Sequence, residues 1–163
     1  MSGCFVIHTL TPLRLFLQDV RFTLDGRHLV SREYMTLKIW DVNMEARPVK
    51  TINIHEPLRP KLCDLYENDC IFDKFEAAVS GDGNNILTGS YSNSFQVHDR
   101  FGNTSAHIEA SRNALQGRHD DHIMTDPNAL DYDRKVLHLT WHPRQNCVAI
   151  AALNNLYIYN GVN

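Results

Sequence analysis

The chain has no Cys-x-x-Cys pair: its four cysteines, Cys4, Cys63, Cys70 and Cys147, are scattered along 163 residues. That scatter excludes a dense disulfide framework and points to reduced, partly buried thiols in a cytoplasmic protein, with the nucleus as a second compartment. No apolar run approaches the ~20 residues that would cross a bilayer, so no membrane span is expected. Met1 to Gln18 is mildly apolar, but Pro12 and Arg14 interrupt it and no basic region precedes an apolar stretch, which argues against a secretory leader. Asn103-Thr104-Ser105 is therefore read as a sequon without consequence. A basic excess is missing too. Sixteen Lys and Arg face nineteen Asp and Glu, a net charge of −3, which argues against a nucleic-acid partner. Also absent are a nucleophile elbow, a phosphate-binding glycine loop and an HExxH helix. No catalytic residue, metal or cofactor is expected.

What is present suffices for a core. Hydrophobic residues make up 43%, enough at this length to bury roughly two-thirds of the unfolded surface. Three segments repeat one template. The first has Asp19-Val20-Arg21-Phe22, Asp25-Gly26, Leu29-Val30-Ser31 and Leu37-Lys38-Ile39-Trp40-Asp41. The second has Ala77-Ala78-Val79, Asp82-Gly83, Ile86-Leu87-Thr88-Gly89-Ser90 and Phe95-Gln96-Val97-His98-Asp99. The third has His138-Leu139-Thr140-Trp141-His142-Pro143, Val148-Ala149-Ile150-Ala151 and Leu156-Tyr157-Ile158-Tyr159.

Phe22, Val79 and Trp141 are each followed seven residues later by an apolar residue, Leu29, Ile86 and Val148. In the first two segments an Asp-Gly pair falls between them, where a tight turn needs positive φ. Each segment reads as three short strands, with a fourth to be found in the longer connections. Trp40-Asp41 is the dipeptide that names WD repeats. The expected fold is all-β, a partial WD-repeat β-propeller of about three blades, with Phe22, Trp40 and Trp141 in the blade cores. Residues 1–18 read as an atypical N-terminal segment and 19–163 as the blades. The anchors lie 57 and 62 residues apart, against ~40–45 for an ordinary repeat. The excess falls in two insertions, 42–74 and 100–135, and connections this long tend to be functional. Since closed propellers have about 4 to 8 blades, a fragment or a ring completed by other chains is expected.

The segment after the first blade, Arg59 to Glu76, predicts a short helix opening at Pro60. Leu62, Leu65 and Tyr66 share one helical face, and a strand resumes near Ile71. Residues 56–76 carry six acidic side chains, Glu56, Asp64, Glu67, Asp69, Asp73 and Glu76, against Arg59, Lys61 and Lys74. The excess equals the net charge of the whole chain, so the acidic potential is concentrated here.

Leu65 through Phe75 closely resembles the signature of the fifty-five-kilodalton, WD-repeat class of regulatory B subunit of protein phosphatase 2A. Val42-Asn43-Met44-Glu45, Thr88-Gly89-Ser90-Tyr91-Ser92-Asn93, Glu109-Ala110-Ser111-Arg112, Trp141-His142-Pro143 and Asn154-Asn155-Leu156-Tyr157-Ile158 extend the resemblance from about Asp19 to Tyr159. It implies the C-terminal portion of a seven-bladed ring and a non-catalytic subunit. Such a subunit would set the substrate selectivity, activity and location of a serine/threonine phosphatase. The implied partners are a phosphatase catalytic subunit, a helical-repeat scaffold subunit and phosphoprotein substrates.

Three departures accompany the resemblance. Met1 to Gln18 does not match the family's preceding blade, and the hairpin that grips the scaffold, which belongs to an early blade, is absent. The connection 105–135 carries His119-Asp120-Asp121-His122 where the family has a basic, variable stretch; a solvated loop is the reading there, since a structural zinc site needs four ligands in a defined frame. His138 and His142, flanking an anchor strand, are expected to serve turn hydrogen bonds. By matching letters, Tyr66, Glu67, Asp69, Phe72 and Lys74 would contact a protein substrate. The carboxylates would attract basic residues beside a phosphosite, and an aromatic would give a compact anchor. The rival reading is a truncated WD-repeat interaction module outside any phosphatase.

Overall fold

The computed structural model describes residues 17–44, 46–102, 105–111 and 126–161. Three antiparallel sheets stand in chain order. The first comprises β1 (Leu17–Phe22), β2 (His28–Glu33), β3 (Thr36–Asp41) and β4 (Lys50–Asn53). The second comprises β5 (Ala77–Val79), β6 (Asn85–Gly89), β7 (Ser94–Asp99) and β8 (Ser105–Glu109). The third comprises β9 (His138–Trp141), β10 (Cys147–Ala152) and β11 (Asn155–Asn160). Each sheet is a meander. The first strands of successive sheets touch, β1 against β5 and β5 against β9, as in blades set around one axis. These are WD-type propeller blades. The expected fourth strands, β4 and β8, lie in the two long connections.

The seven-residue spacing in the sequence is the cross-strand register itself. Phe22 pairs with Leu29, Val79 with Ile86, and Trp141 with Val148. The turns between them share one chemistry. Thr23 N–H bonds to His28 O at 3.0 Å and Ser80 N–H to Asn85 O at 2.9 Å. Gly26 and Gly83 take φ of +65° and +74° with open space where a Cβ would stand, so glycine serves there for its backbone freedom. In both turns an aspartate closes the loop: Asp25 accepts from Thr23 Oγ1 at 2.6 Å, and Asp82 accepts from the Ser80 hydroxyl. In the third sheet His142 takes that role, its Nδ1 accepting Arg144 N–H at 3.1 Å and Gln145 N–H at 3.0 Å.

Two apolar seams join the blades. Val30, Leu37, Ile39 and Ile52 of the first sheet meet Ala77 and Ile86 of the second. Leu87, Phe95 and Ala110 of the second blade meet Leu139, Val148 and Ile150 of the third. Trp40 is buried, and Trp141 is half-buried against the second seam. Phe22 is not a core residue. It is 65% exposed: it lies on the edge strand β1 and projects away from Val30 and Ile39, whose side the second blade covers, while Trp40, on the same side as Phe22, is flanked by β2 and β4. An apolar residue at a template position therefore reports its register and not its cover.

Candidate functional site

The long connection from β4 to β5 builds a cap over one end of the blades. A 3-10 turn (Glu56–Lys61) contains Pro60 and runs into the helix α1 (Leu62–Glu67), followed by a second 3-10 turn (Cys70–Phe72). The sequence placed a strand near Ile71; the next strand begins only at Ala77. Leu65 of α1 is buried and Leu62 half-buried, but Tyr66, expected on the same face, is 61% exposed. Six residues make less than two helical turns, so an inward stripe holds Leu65 while its neighbour faces water.

All five predicted contact residues, Tyr66, Glu67, Asp69, Phe72 and Lys74, are exposed. The rings of Tyr66 and Phe72 lie 5.8 Å apart, centroid to centroid, at 53°. They form an aromatic pair that is in large part exposed, Tyr66 at 61% and Phe72 at 46%. Between them Asp69 adopts the left-handed conformation, φ +59°, which reverses the chain and brings residue 72 back to residue 66. Asp64, Glu67, Asp69 and Lys74, near the pair in sequence, are exposed as well. The arrangement suits a peptide that offers cations together with an apolar or aromatic group.

Beneath the exposed layer the cap is seated on Leu58, Leu65 and Phe75, which meet Tyr34, Met35, Tyr91 and Leu130. The support is polar as well. Asp73 accepts from Tyr91 Oη at 2.9 Å and from Lys135 Nζ at 2.7 Å. The Tyr34 and Tyr91 hydroxyls lie 2.9 Å apart. Burial pushes both phenols well above the usual tyrosine range, so they stay protonated as donors. Deeper still, Arg32 is wholly buried, donating to Thr88 Oγ1 at 2.9 Å and to Tyr34 O at 3.0 Å, with its guanidinium 5.5 Å from the centre of the Phe75 ring. Desolvation lowers its pKa to about 9. His55 Nε2 sits 3.0 Å from Ser90 Oγ, and burial holds its imidazole neutral. Both residues have no exposed surface, so this serine–histidine pair is sealed from any substrate. His138 Nδ1 lies 3.2 Å from Glu76. His119, Asp120, Asp121 and His122 lie outside the described residues.

Sequence reasoning missed Tyr34, Tyr91, Lys135 and the anchoring role of Asp73. One signal was available: Tyr34 and Tyr91 each follow their template anchors, Phe22 and Val79, by twelve residues. The position recurs because both tyrosines sit in the β2–β3 and β6–β7 turns at the same end of neighbouring blades.

No family model matches the chain. Individual relatives do. A Dictyostelium discoideum protein phosphatase 2A regulatory subunit, phr2AB, is 44% identical over 163 residues, covering 88% of this chain and 33% of its own length. The alpha isoform of the Arabidopsis thaliana 55 kDa regulatory B subunit is 47% identical, covering 91% of this chain and 34% of its own. The human gamma isoform is 46% identical, covering 86% and 34%. The chain's homologues are protein phosphatase 2A regulatory B subunits. They are regulatory and not catalytic proteins, and the chain spans about a third of their length. Among solved structures, that of U3-55K superposes with a TM-score of 0.58 at 12% identity, covering 93% of this chain and 38% of that one. At that identity it speaks for the propeller fold alone.

Proposed function

We propose that this chain acts as a regulatory B-type subunit of a protein phosphatase 2A holoenzyme, with no catalysis of its own. It would modulate the substrate selectivity, activity and location of a separate catalytic subunit held by a helical-repeat scaffold, in the cytoplasm and also the nucleus. The observation that carries this reading is the cap. A segment resembling the B-type signature leaves Tyr66, Glu67, Asp69, Phe72 and Lys74 exposed, with the Tyr66 and Phe72 rings paired. Aromatic side chains give large contact area at low conformational cost, and surrounding carboxylates draw in basic peptides. Phosphoprotein substrates with basic residues beside the phosphosite are the class this surface fits.

Affinity purification of the tagged chain from cells tests the reading. Copurifying phosphatase catalytic and scaffold subunits, with activity lost when the catalytic subunit is inhibited, is the expected result. Recovery of other proteins without either phosphatase subunit would favour a free-standing interaction module. Turnover of a phosphopeptide by the chain alone would overturn the non-catalytic assignment.

A further inference from the structure

We propose that Asp73 is the positioning residue of the cap, clasping the segment that carries the exposed pair Tyr66 and Phe72 to the first two blades and to the connection that leads into the third. The inference rests on the cap being the recognition surface, and it concerns what holds that surface in shape.

Local structure cannot hold it. The helix α1 has six residues and no side-chain hydrogen bond at its N-cap, well short of the length at which a helix is stable by itself. Asp69 occupies a left-handed conformation, which strains a residue other than glycine. The shape must therefore come from ties to the body of the protein. Apolar ties hold the two flanks, through Leu65 on one side and Phe75 on the other. Between them, Cys70 and Ile71 of the turn pack half-buried against the same cluster, and the polar contacts of the turn converge on Asp73.

Those contacts reach the first two blades and the connection before the third. Tyr91, from the β6–β7 turn of the second blade, donates to Asp73 Oδ2 at 2.9 Å and lies equally close to the Cys70 carbonyl. The Tyr91 hydroxyl meets Tyr34 of the first blade, so a chain of donors runs from Tyr34 through Tyr91 to the carboxylate. Lys135, on the strand-like approach to the third blade, pairs with Oδ1 at 2.7 Å, and its backbone bridges to Tyr91. The backbone carbonyl of Asp73 accepts from Gln18 Nε2 of β1. Both carboxylate oxygens and the carbonyl are thus engaged. Asp73 lies between Phe72 and Lys74 in sequence, so its position dictates where those two side chains stand.

Hydrogen exchange on the 163-residue chain reads the clasp directly. Asp73→Asn, which keeps the shape and removes the charge, should speed exchange of amides in residues 66–74 while leaving β6, β7 and β10 protected. Lys135→Met should do the same, and the double variant should add little, since both break one interaction. Should Asp73→Asn unfold the chain globally, Lys135→Met decides. Unchanged cap exchange in Lys135→Met would overturn the clasp.

Binding of a synthetic phosphoserine peptide flanked by lysines and arginines supplies the readout that a merely structural role would not move. Asp73→Asn should weaken it by roughly tenfold if the cap then holds its binding shape about a tenth of the time. In a Phe72→Ala background the same change should cost much less, because the contact it positions is gone; full additivity would overturn a positioning role. Unchanged affinity for Phe72→Ala would overturn the recognition reading instead, and the exchange result would still judge the clasp.

Discussion

The indole Nε1–H of Trp40 donates to Ser31 Oγ at 2.8 Å, a diagonal contact across the β2–β3 ladder with both groups buried. The tryptophan of the repeat dipeptide thus closes its own blade from within. Asp41, beside it, accepts both Nε and Nη2 of Arg27, at 3.0 and 2.7 Å, and the Arg27 hydrogen bonds hold its carboxyl below the usual range. One residue of the dipeptide fixes the β2–β3 pair through its side chain, the other fixes the turn before it.

Trp40→Ala should cost ~3–5 kcal/mol as a buried aromatic truncation. Ser31→Ala, which strands the indole N–H, should cost about 1–3 kcal/mol. Phe22→Ala should change stability by no more than about 0.5 kcal/mol, as at other exposed positions. Urea titration of the three variants checks the order. A Phe22→Ala loss as large as that of Trp40→Ala would contradict the exposure of the Phe22 ring.

The contrast between Trp40 and Phe22 marks what was legible in the sequence. Strand identity, register and turn chemistry were readable, because the spacing from Phe22 to Leu29 and the Asp-Gly pairs are local. Burial was not, because Phe22 and Trp40 share one side of the sheet through Leu29, and the edge strand β1 lacks the neighbours that β2 and β4 give to β3. The cap divides in the same way. Its exposed residues could be named from a contiguous signature, whereas Tyr34 and Lys135 reach it across long separations in sequence and through tertiary packing alone.

Stability should fall as pH drops below about 6.5. Burial, then the charge of Arg32, lowers the His98 pKa from 6.5 to about 4, with His107 adding to the effect and Asp99 opposing it. The folded state holds this imidazole neutral, with Gln96 Oε1 2.9 Å from its Nε2. Above pH 6.5 neither state binds the proton; between 6.5 and 4 the unfolded chain binds it and the folded chain does not. Stability is lost through that window at about 1.4 kcal/mol per unit, on the order of 3 kcal/mol in all. Buried His55 shifts in the same direction. Thermal unfolding at pH 7.5 and pH 5 should show the loss, reduced in His98→Gln; an identical loss in that variant would exclude His98 as a source.

Removing the Asp69 charge should weaken a basic phosphopeptide without distorting the cap. Asn is the replacement of choice, since it tolerates the left-handed conformation that a lysine would strain. Exposed charges interact over a Debye length of about 10 Å at 0.1 M salt and about 3 Å at 1 M. The affinity gap between wild type and Asp69→Asn should therefore narrow as salt rises. An equal affinity at low salt would remove electrostatic attraction from the recognition mechanism.

The 163-residue chain, produced alone, should associate through its two outer blade faces. On the first blade Val20 and Phe22 are 41% and 65% exposed, with Leu24 at 77% in the turn that follows. On the third, Leu156 and Ile158 project from one side of β11 at 68% and 63%, while Tyr157 and Tyr159, on the other side, pack into the seam with the second blade. Each exposed set occupies the kind of surface that the inner seams bury between neighbouring sheets. A propeller blade is stabilised by a sheet on either side, and among the described residues no further sheet covers these faces as the middle blade is covered. Covering several hundred Å² at each end would be worth on the order of 10 kcal/mol at roughly 25 cal/mol per Å². Patches of that size are sticky in water. Light scattering should show oligomers or aggregates, reduced by Phe22→Lys and again by Leu156→Lys with Ile158→Lys, because a charge on either face must be desolvated on contact. The substitutions lie outside both seams, so cooperative unfolding should survive them. A monodisperse wild-type monomer at micromolar concentration would show that these faces do not drive association.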